Sequence, residues 1–316
     1  MISKKLSIII PCFNEEDNIK NTHQRLTDII SKVSSKYELI FVDDASTDKT
    51  PLILKGLAKK DSHVVIIYFA RNFGPYGAFA AGFKYADGDG IVCIDCDLQD
   101  PPEIIPKMVK KWQEGYDVVY GIRSRRKGGF LRKILVKYYY QVLKKLSYID
   151  IPLYAGDFSL IDRCVVDAIN SMPEHRRYLG GLRAWVGFSQ FGIEYVRNER
   201  KFGRTKFNLS AYFRLAFESI FSFSYKPLEL ISYLAIAVVS LTLVGIVVYL
   251  IYFLLYPNIS RGFPTLILVI LFLGGIQLLC LSIISQYLAN IFEESKNRPH
   301  FIIKDILGKN KNNLSN

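Results

Sequence analysis

Asp95, Asp97 and Gln99 occupy alternate positions in the run IDCDLQD, directly after the apolar stretch GIVC. With that run extended, alternate side chains share one side, and three oxygen donors meet one hard cation such as Mg²⁺ or Mn²⁺. Such a cation matters when a nucleoside diphosphate leaves a sugar, because negative charge gathers on the departing group as the bond breaks. An Asp-x-Asp pair alone is unspecific, since Asp is common in turns and at helix starts, where Ser46 or Asp48 would cap the helix that follows. Its weight comes from company: Asn14 and Glu15, Asp43 and Asp44, and Arg71 and Asn72 each follow another apolar run.

Those runs, LSIIIP, YELIFVDD, HVVIIYFAR, GIVCID and YDVVYGIR, alternate with helix-like segments near 17–34, 50–60, 76–86 and 102–115. The alternation predicts a Rossmann-like α/β domain with a mainly parallel sheet and helices on both faces. Ligands of such sheets bind beyond the carboxyl ends of the strands, where the polar residues fall here. No glycine-rich phosphate loop or GxGxxG turn follows the first run, which disfavours an ATPase or a dinucleotide enzyme.

Two long apolar runs come late in the chain, 228–256 with Glu229 as its one charge and 263–290 with none. As a helix, each is long enough to cross about 30 Å of hydrocarbon. Of the 316 residues, the rest suffice for one α/β domain of ordinary size. The net charge of +12 is concentrated toward the apolar end, since 123–145 holds many Lys and Arg and no acid. Anionic lipid explains that placement better than nucleic acid, for which no aromatic platforms are evident. Two stretches read as interfacial amphipathic helices, about 129–147 and 207–227. Lys296, Arg298, Lys304, Lys309 and Lys311 follow the second run, against Arg261 alone between the two, which predicts both termini on the cytoplasmic face of a cell membrane. No cleavable leader is expected, because the first residues lead straight into a strand-like run. The five cysteines read as reduced, with Cys93 and Cys96 facing opposite ways in a β-rich run, and the four scattered histidines form no zinc pair.

SIIIPCFNEEDNI, FVDDASTDKT, ARNFGPYGAFAAG, DCDLQDPPE, YGIRSRR, AGDFSLIDR, RNERKFGRTKF and the paired apolar runs follow in this order. In them the sequence resembles glycosyltransferase family 2 with a GT-A domain. Within it the match is to the bacterial polyprenyl-phosphate glycosyltransferases, including bactoprenol glucosyltransferases, and to the related dolichol-phosphate mannose synthases. The resemblance spans nearly the whole chain. It implies that Pro11, Phe13 and Glu15 with Asp43 hold the nucleoside, that Asp95, Asp97 and Gln99 hold the metal diphosphate, and that Asp157 takes the place of the base or acceptor-orienting acid. A lipid monophosphate with a second pKa of about 6 is mostly dianionic at neutral pH and attacks without giving up a proton. Asp157 then orients a sugar hydroxyl or an Arg; the alternative is a buried carboxylate paired with an Arg such as Arg163. The acceptor's charge calls for cations at the membrane side, for which Arg123, Arg126, Arg132, Arg200 and Lys206 are the candidates. The family pattern supports a phosphate role for Arg123 and Arg200, while Arg126 and Arg132 suit lipid headgroups equally.

The resemblance implies an inverting enzyme that moves a single sugar, foremost glucose from UDP-glucose, onto undecaprenyl phosphate at the cytoplasmic membrane face, with Mg²⁺ or Mn²⁺ as cofactor and a homo-oligomeric state. The alternatives are another sugar, such as mannose, amino-arabinose or N-acetylglucosamine, or a non-catalytic nucleotide-sugar sensor. A processive synthase is disfavoured, since the chain has GLRAW at 181–185 instead of QxxRW. The expected organisation is a catalytic domain over 1–206, a juxtamembrane helix over 207–227, spans at 228–256 and 263–290, and a basic cytoplasmic tail over 291–316.

Overall fold

The computed structural model describes residues 1–123, 155–174, 178–198, 226–255 and 262–308. Strands β1 (Leu6–Cys12), β2 (Tyr37–Asp43), β3 (Val64–Phe69) and β4 (Gly90–Cys93) are followed in turn by helices α1 (Ile19–Val33), α2 (Thr50–Ala58), α3 (Pro75–Tyr85) and α4 (Ile105–Gln113). After them come β5 (Val118–Arg123), β6 (Ala155–Asp162), α5 (Arg163–Asn170), α6 (Leu179–Trp185) and β7 (Gln190–Tyr195). One sheet contains all of these strands in the order β7-β5-β6-β4-β1-β2-β3-β8, where β8 is Ile303–Leu307.

The five strands and four helices expected from the apolar runs are all present. The sheet is mainly parallel, as expected, but mixed: β1–β5 and β7 run the same way, while β6 runs against both β4 and β5, and β8 runs against β3. Reversal of β6 brings its first residues level with the carboxyl ends of its neighbours, since Ser159 pairs with Cys93 and Ala155 with Ile122.

The central strands read as unbroken apolar runs because both of their faces are covered. Ile8 and Ile10 of β1 share a core with Leu26 and Ile30 of α1 and Met108 and Trp112 of α4. Ile9 points the other way, into Phe79 and Phe83 of α3 and Val165 and Ile169 of α5. Burying each such side chain contributes about 1.5–3 kcal/mol. Helix α3 reaches β1 closely only because residue 82 is glycine; a Cβ there would lie 2.3 Å from Ile9 Cγ2. Cys93 and Cys96 fall in opposite cores, as their spacing implies.

Strand β8 arises in the tail that the sequence analysis read as basic and without an element. Five residues with two charges carry little pattern of their own; the pairing comes from the otherwise open edge of β3. Phe301 stacks on Phe69 with ring centroids 5.5 Å apart, and the Ala70 N–H donates to the Ile302 carbonyl at 2.9 Å.

A second unit contains α7 (Lys226–Leu255) and α8 (Phe263–Ser295). Among the described residues one stretch, Phe272–Ser295, is long and apolar enough to cross a membrane, and none of it is buried; Ile231–Gly245 is a shorter apolar stretch. The amphipathic segments expected at 129–147 and 207–227 lie outside the described residues apart from the start of α7.

Candidate active site

The loops after β1 and β2 are stitched together by reciprocal hydrogen bonds. The Asn14 N–H donates to Ser46 Oγ at 2.9 Å, and Asn14 Oδ1 accepts from the Thr47 N–H at 2.8 Å. The Glu15 N–H donates to Thr50 Oγ1 at 2.9 Å, while Glu16 Oε2 accepts from the Lys49 N–H at 3.0 Å. Asn14, Ala45 and Leu98 all have positive φ, 55°, 60° and 54°, one beyond each of β1, β2 and β4. Left-handed backbone at non-glycine residues costs on the order of 1–3 kcal/mol each and concentrates where function constrains the chain. Of the two candidate caps, Asp48 accepts from the Thr50 N–H at 2.9 Å, at the start of α2, while Ser46 serves Asn14.

Pro11, Phe13, Glu15 and Asp43 therefore lie at the carboxyl ends of two adjacent parallel strands. Asp43 is buried and accepts from the Ser46 N–H at 3.3 Å; burial raises its carboxyl pKa against the pull of the Ser46 hydrogen bonds. Asp44 turns aside to anchor the loop after β3, accepting from the Phe73 and Gly74 N–H groups at 2.6 and 2.9 Å.

Beyond β4 the chain does not stay extended. It turns at Cys96 and Asp97, with Leu98 left-handed and the Gln99 N–H donating to Asp97 Oδ1 at 3.1 Å. The alternate-side geometry expected for Asp95, Asp97 and Gln99 is thus replaced by a turn. Thr22 of α1 holds that turn by donating its hydroxyl to the Cys96 carbonyl at 2.6 Å. Gln99 is tied to the segment after β7, its carbonyl accepting from the Asn198 N–H at 2.8 Å.

Asp100, which carried no role in the sequence reading, is the hub. It is 1 % exposed and accepts the Tyr195 hydroxyl at 2.5 Å, with Arg123 Nη2 and Arg197 Nε each 3.3 Å from its oxygens. Arg197 also lies 3.9 Å from Asp95. Burial opposes the charge of Arg123, but Asp100 and the Tyr195 oxygen outweigh it and hold the guanidinium protonated. Arg123, predicted to meet phosphate, ends β5 within this cluster.

Asp157 enters the same cluster from the start of β6. Burial, with Asp100 adding repulsion, raises its pKa, while Arg183, Arg123 and Arg197 act in the opposite direction. Arg163, considered as its partner, follows the far end of the strand and binds the Gly88 and Ala86 carbonyls instead. Asp95 opens to solvent over 40 % of its side-chain surface. Even so, desolvation by the surrounding protein, followed by the charges of Asp100, Asp97 and Asp157, lifts its pKa to about 7.

Four carboxylates and three arginines therefore meet at one end of the sheet. Asp95 and Asp97 offer hard oxygen donors, and their mutual repulsion would be relieved by a divalent cation. Among the described residues no three His, Cys, Asp or Glu side chains form a ready-made metal cage. Arg126, Arg132, Arg200 and Lys206 lie outside the described residues. Arg183 lies within GLRAW and Arg197 opens RNERKFGRTKF, but neither they nor Tyr195 carried a role on sequence grounds.

The glycosyl transferase family 2 model matches residues 7–169. A Bacillus subtilis protein described as an uncharacterized glycosyltransferase is 42 % identical over 303 residues, covering 96 % of this chain and 94 % of the relative. A prophage bactoprenol glucosyl transferase homolog of Escherichia coli is 39 % identical, covering 96 % of this chain and 99 % of its own length. The bactoprenol glucosyl transferase of Shigella phage SfV is also 39 % identical, over 95 % and 98 %.

Proposed function

This chain belongs to glycosyl transferase family 2, and from that membership we propose that it is an inverting enzyme transferring one glucose from UDP-glucose to undecaprenyl phosphate at the cytoplasmic face of a membrane. The observation that carries the reading is the near-full-length likeness to bactoprenol glucosyl transferases, which extends through both long apolar helices. Helices apolar on every side need a hydrocarbon or protein environment. No residue of Phe272–Ser295 is buried among the described residues, which supports a membrane for α8 and, by the pattern of its sequence, for α7.

In this reading Pro11, Phe13, Glu15 and Asp43 form the nucleoside end of the donor site. Asp95 and Asp97, with Gln99 beside them, are the residues to hold Mg²⁺ or Mn²⁺, which when bound neutralises charge on the leaving diphosphate. Arg123 faces the incoming phosphate, aided by Arg200 and Lys206, with Arg126 and Arg132 at the lipid surface. A phosphate oxygen of the acceptor forms the new bond to the anomeric carbon while the bond from that carbon to the diphosphate breaks, so the sugar inverts in one in-line step. Asp157 orients a sugar hydroxyl or Arg123, since the dianionic acceptor has no proton to lose. A homo-oligomer with both termini in the cytoplasm is part of the same proposal.

The test offers purified enzyme in lipid nanodiscs a panel of labelled nucleotide sugars, undecaprenyl phosphate and either divalent ion. Label from UDP-glucose in the organic phase is expected. Label from a different sugar instead would reassign the donor, and nucleotide-sugar binding without any lipid product would overturn the enzymatic reading.

A further inference from the structure

Arg183 of α6 is 2 % exposed and heads the large side chains enclosed within the described protein. Its Nη2 donates to the Gly156 carbonyl at 3.0 Å, and its guanidinium carbon lies 5.7 Å from the centre of the Tyr120 ring. Nη1 is buried with no hydrogen-bond partner among the described residues. A guanidinium in the interior costs several kcal/mol of lost hydration, so a partly satisfied one is poorly explained by stability.

Its surroundings suggest another reason. Gly156 immediately precedes Asp157, and Arg183 grips its carbonyl while Arg123 lies against its Cα. A Cβ on residue 156 would meet Arg123 Nη2 at 2.8 Å, so the glycine leaves room for the second guanidinium. Among neighbouring charges Asp157 acts most strongly on Arg183, and Arg183 most strongly on Asp157. The short helix α6 is fixed in turn, because Gln190 Nε2 of β7 donates to the Arg183 carbonyl at 2.8 Å.

We infer that Arg183 is a positioning residue, clamping the Gly156 carbonyl so that the adjacent Asp157 carboxylate faces the reacting groups beside Arg123. Arg183 itself touches neither donor nor acceptor. The inference rests on the part assigned to Asp157 above, and a double-mutant cycle separates the two.

Asp157→Asn, Arg183→Met, Arg183→Lys and the Asp157→Asn double variants are assayed as full-length enzyme in nanodiscs with labelled UDP-glucose and undecaprenyl phosphate. If Arg183 works through Asp157, Arg183→Met lowers kcat on the order of 30-fold in the wild-type background and less than about 3-fold beside Asp157→Asn, the non-additivity of coupled residues. The donor KM stays within about 2-fold, and Arg183→Lys, which keeps the charge and one donor, recovers roughly a third of the loss in log kcat. An equal drop in both backgrounds, or a donor KM that rises with the loss of kcat, overturns the positioning role. Should Arg183→Met fail to melt cooperatively, the same cycle is read from Arg183→Lys, where a smaller drop confined to the Asp157 background is expected and an additive one overturns. Near-normal turnover by Asp157→Asn alone defeats the Asp157 reading instead, a result visible before Arg183 is considered.

Discussion

Changing Asp100 to Asn removes one charge from the most enclosed carboxylate of the site while nearly keeping its shape. Asp100 is 1 % exposed and receives the Tyr195 hydroxyl at 2.5 Å and Arg123 Nη2 at 3.3 Å. Hydrogen bonds to a charged group contribute about 1.5–3 kcal/mol each, so the pair sets an upper bound of roughly 3–6 kcal/mol. Two things reduce it. The amide oxygen still accepts from Tyr195, and Arg123 and Arg197, 19 % and 30 % exposed, regain some water. A loss of about 2–4 kcal/mol remains, overlapping the lower part of the range for breaking a buried ion pair. For a unit of this size each kcal/mol lowers Tm by about 2–4 °C, which places the expected fall at roughly 5–15 °C. Tyr195→Phe keeps the carboxylate and removes one hydrogen bond to it, at most about 1.5–3 kcal/mol, so its fall is expected within roughly 3–12 °C and below that of Asp100→Asn. Circular-dichroism melts of the detergent-purified variants measure both. An Asp100→Asn melt within about 2 °C of the parent, or a larger fall for Tyr195→Phe, refutes the hub, because the ordering follows from charge burial.

Four further outcomes are expected. Asp95, lifted to about 7 by burial and neighbouring carboxylates, holds a proton that a divalent cation must displace, so Mn²⁺ affinity read by calorimetry should fall up to about tenfold per pH unit below 7 and level off above it. The stability sign runs opposite: between the ordinary value of 3.8 and about 7 the folded chain holds more protons than the unfolded one, so this carboxylate's penalty on stability eases as pH falls through that window in metal-free buffer. Gly82→Ala drives a methyl into Ile9 and should cost about 1–3 kcal/mol in chemical denaturation with the donor KM little changed; an unchanged midpoint would show that α3 is not seated on β1. Arg200→Ala should raise the acceptor KM or lower kcat well beyond any change in nucleotide-sugar affinity, and an effect on the nucleotide alone sinks its assignment to the acceptor phosphate.

The first five strands and four helices were legible because each is a local pattern: apolar runs covered on both faces, helical stretches between them, and polar residues where the runs stop. Asp95, Asp97, Arg123 and Asp157 were legible through motifs that keep their residues close in sequence. Composition and loop charge likewise marked the two apolar helices. Tertiary structure decided what depends on distant partners. Asp100 became a hub by meeting Tyr195, 95 positions away, and Arg183 acquired its place by reaching Gly156, 27 positions away. The turn at Leu98 replaced an extended run because Thr22, 74 positions from Cys96, holds the carbonyl between the two aspartates. Reversal of β6 and recruitment of β8 follow from the same cause, since a strand's direction and its existence as a strand are set by the neighbour whose hydrogen-bonding edge it satisfies.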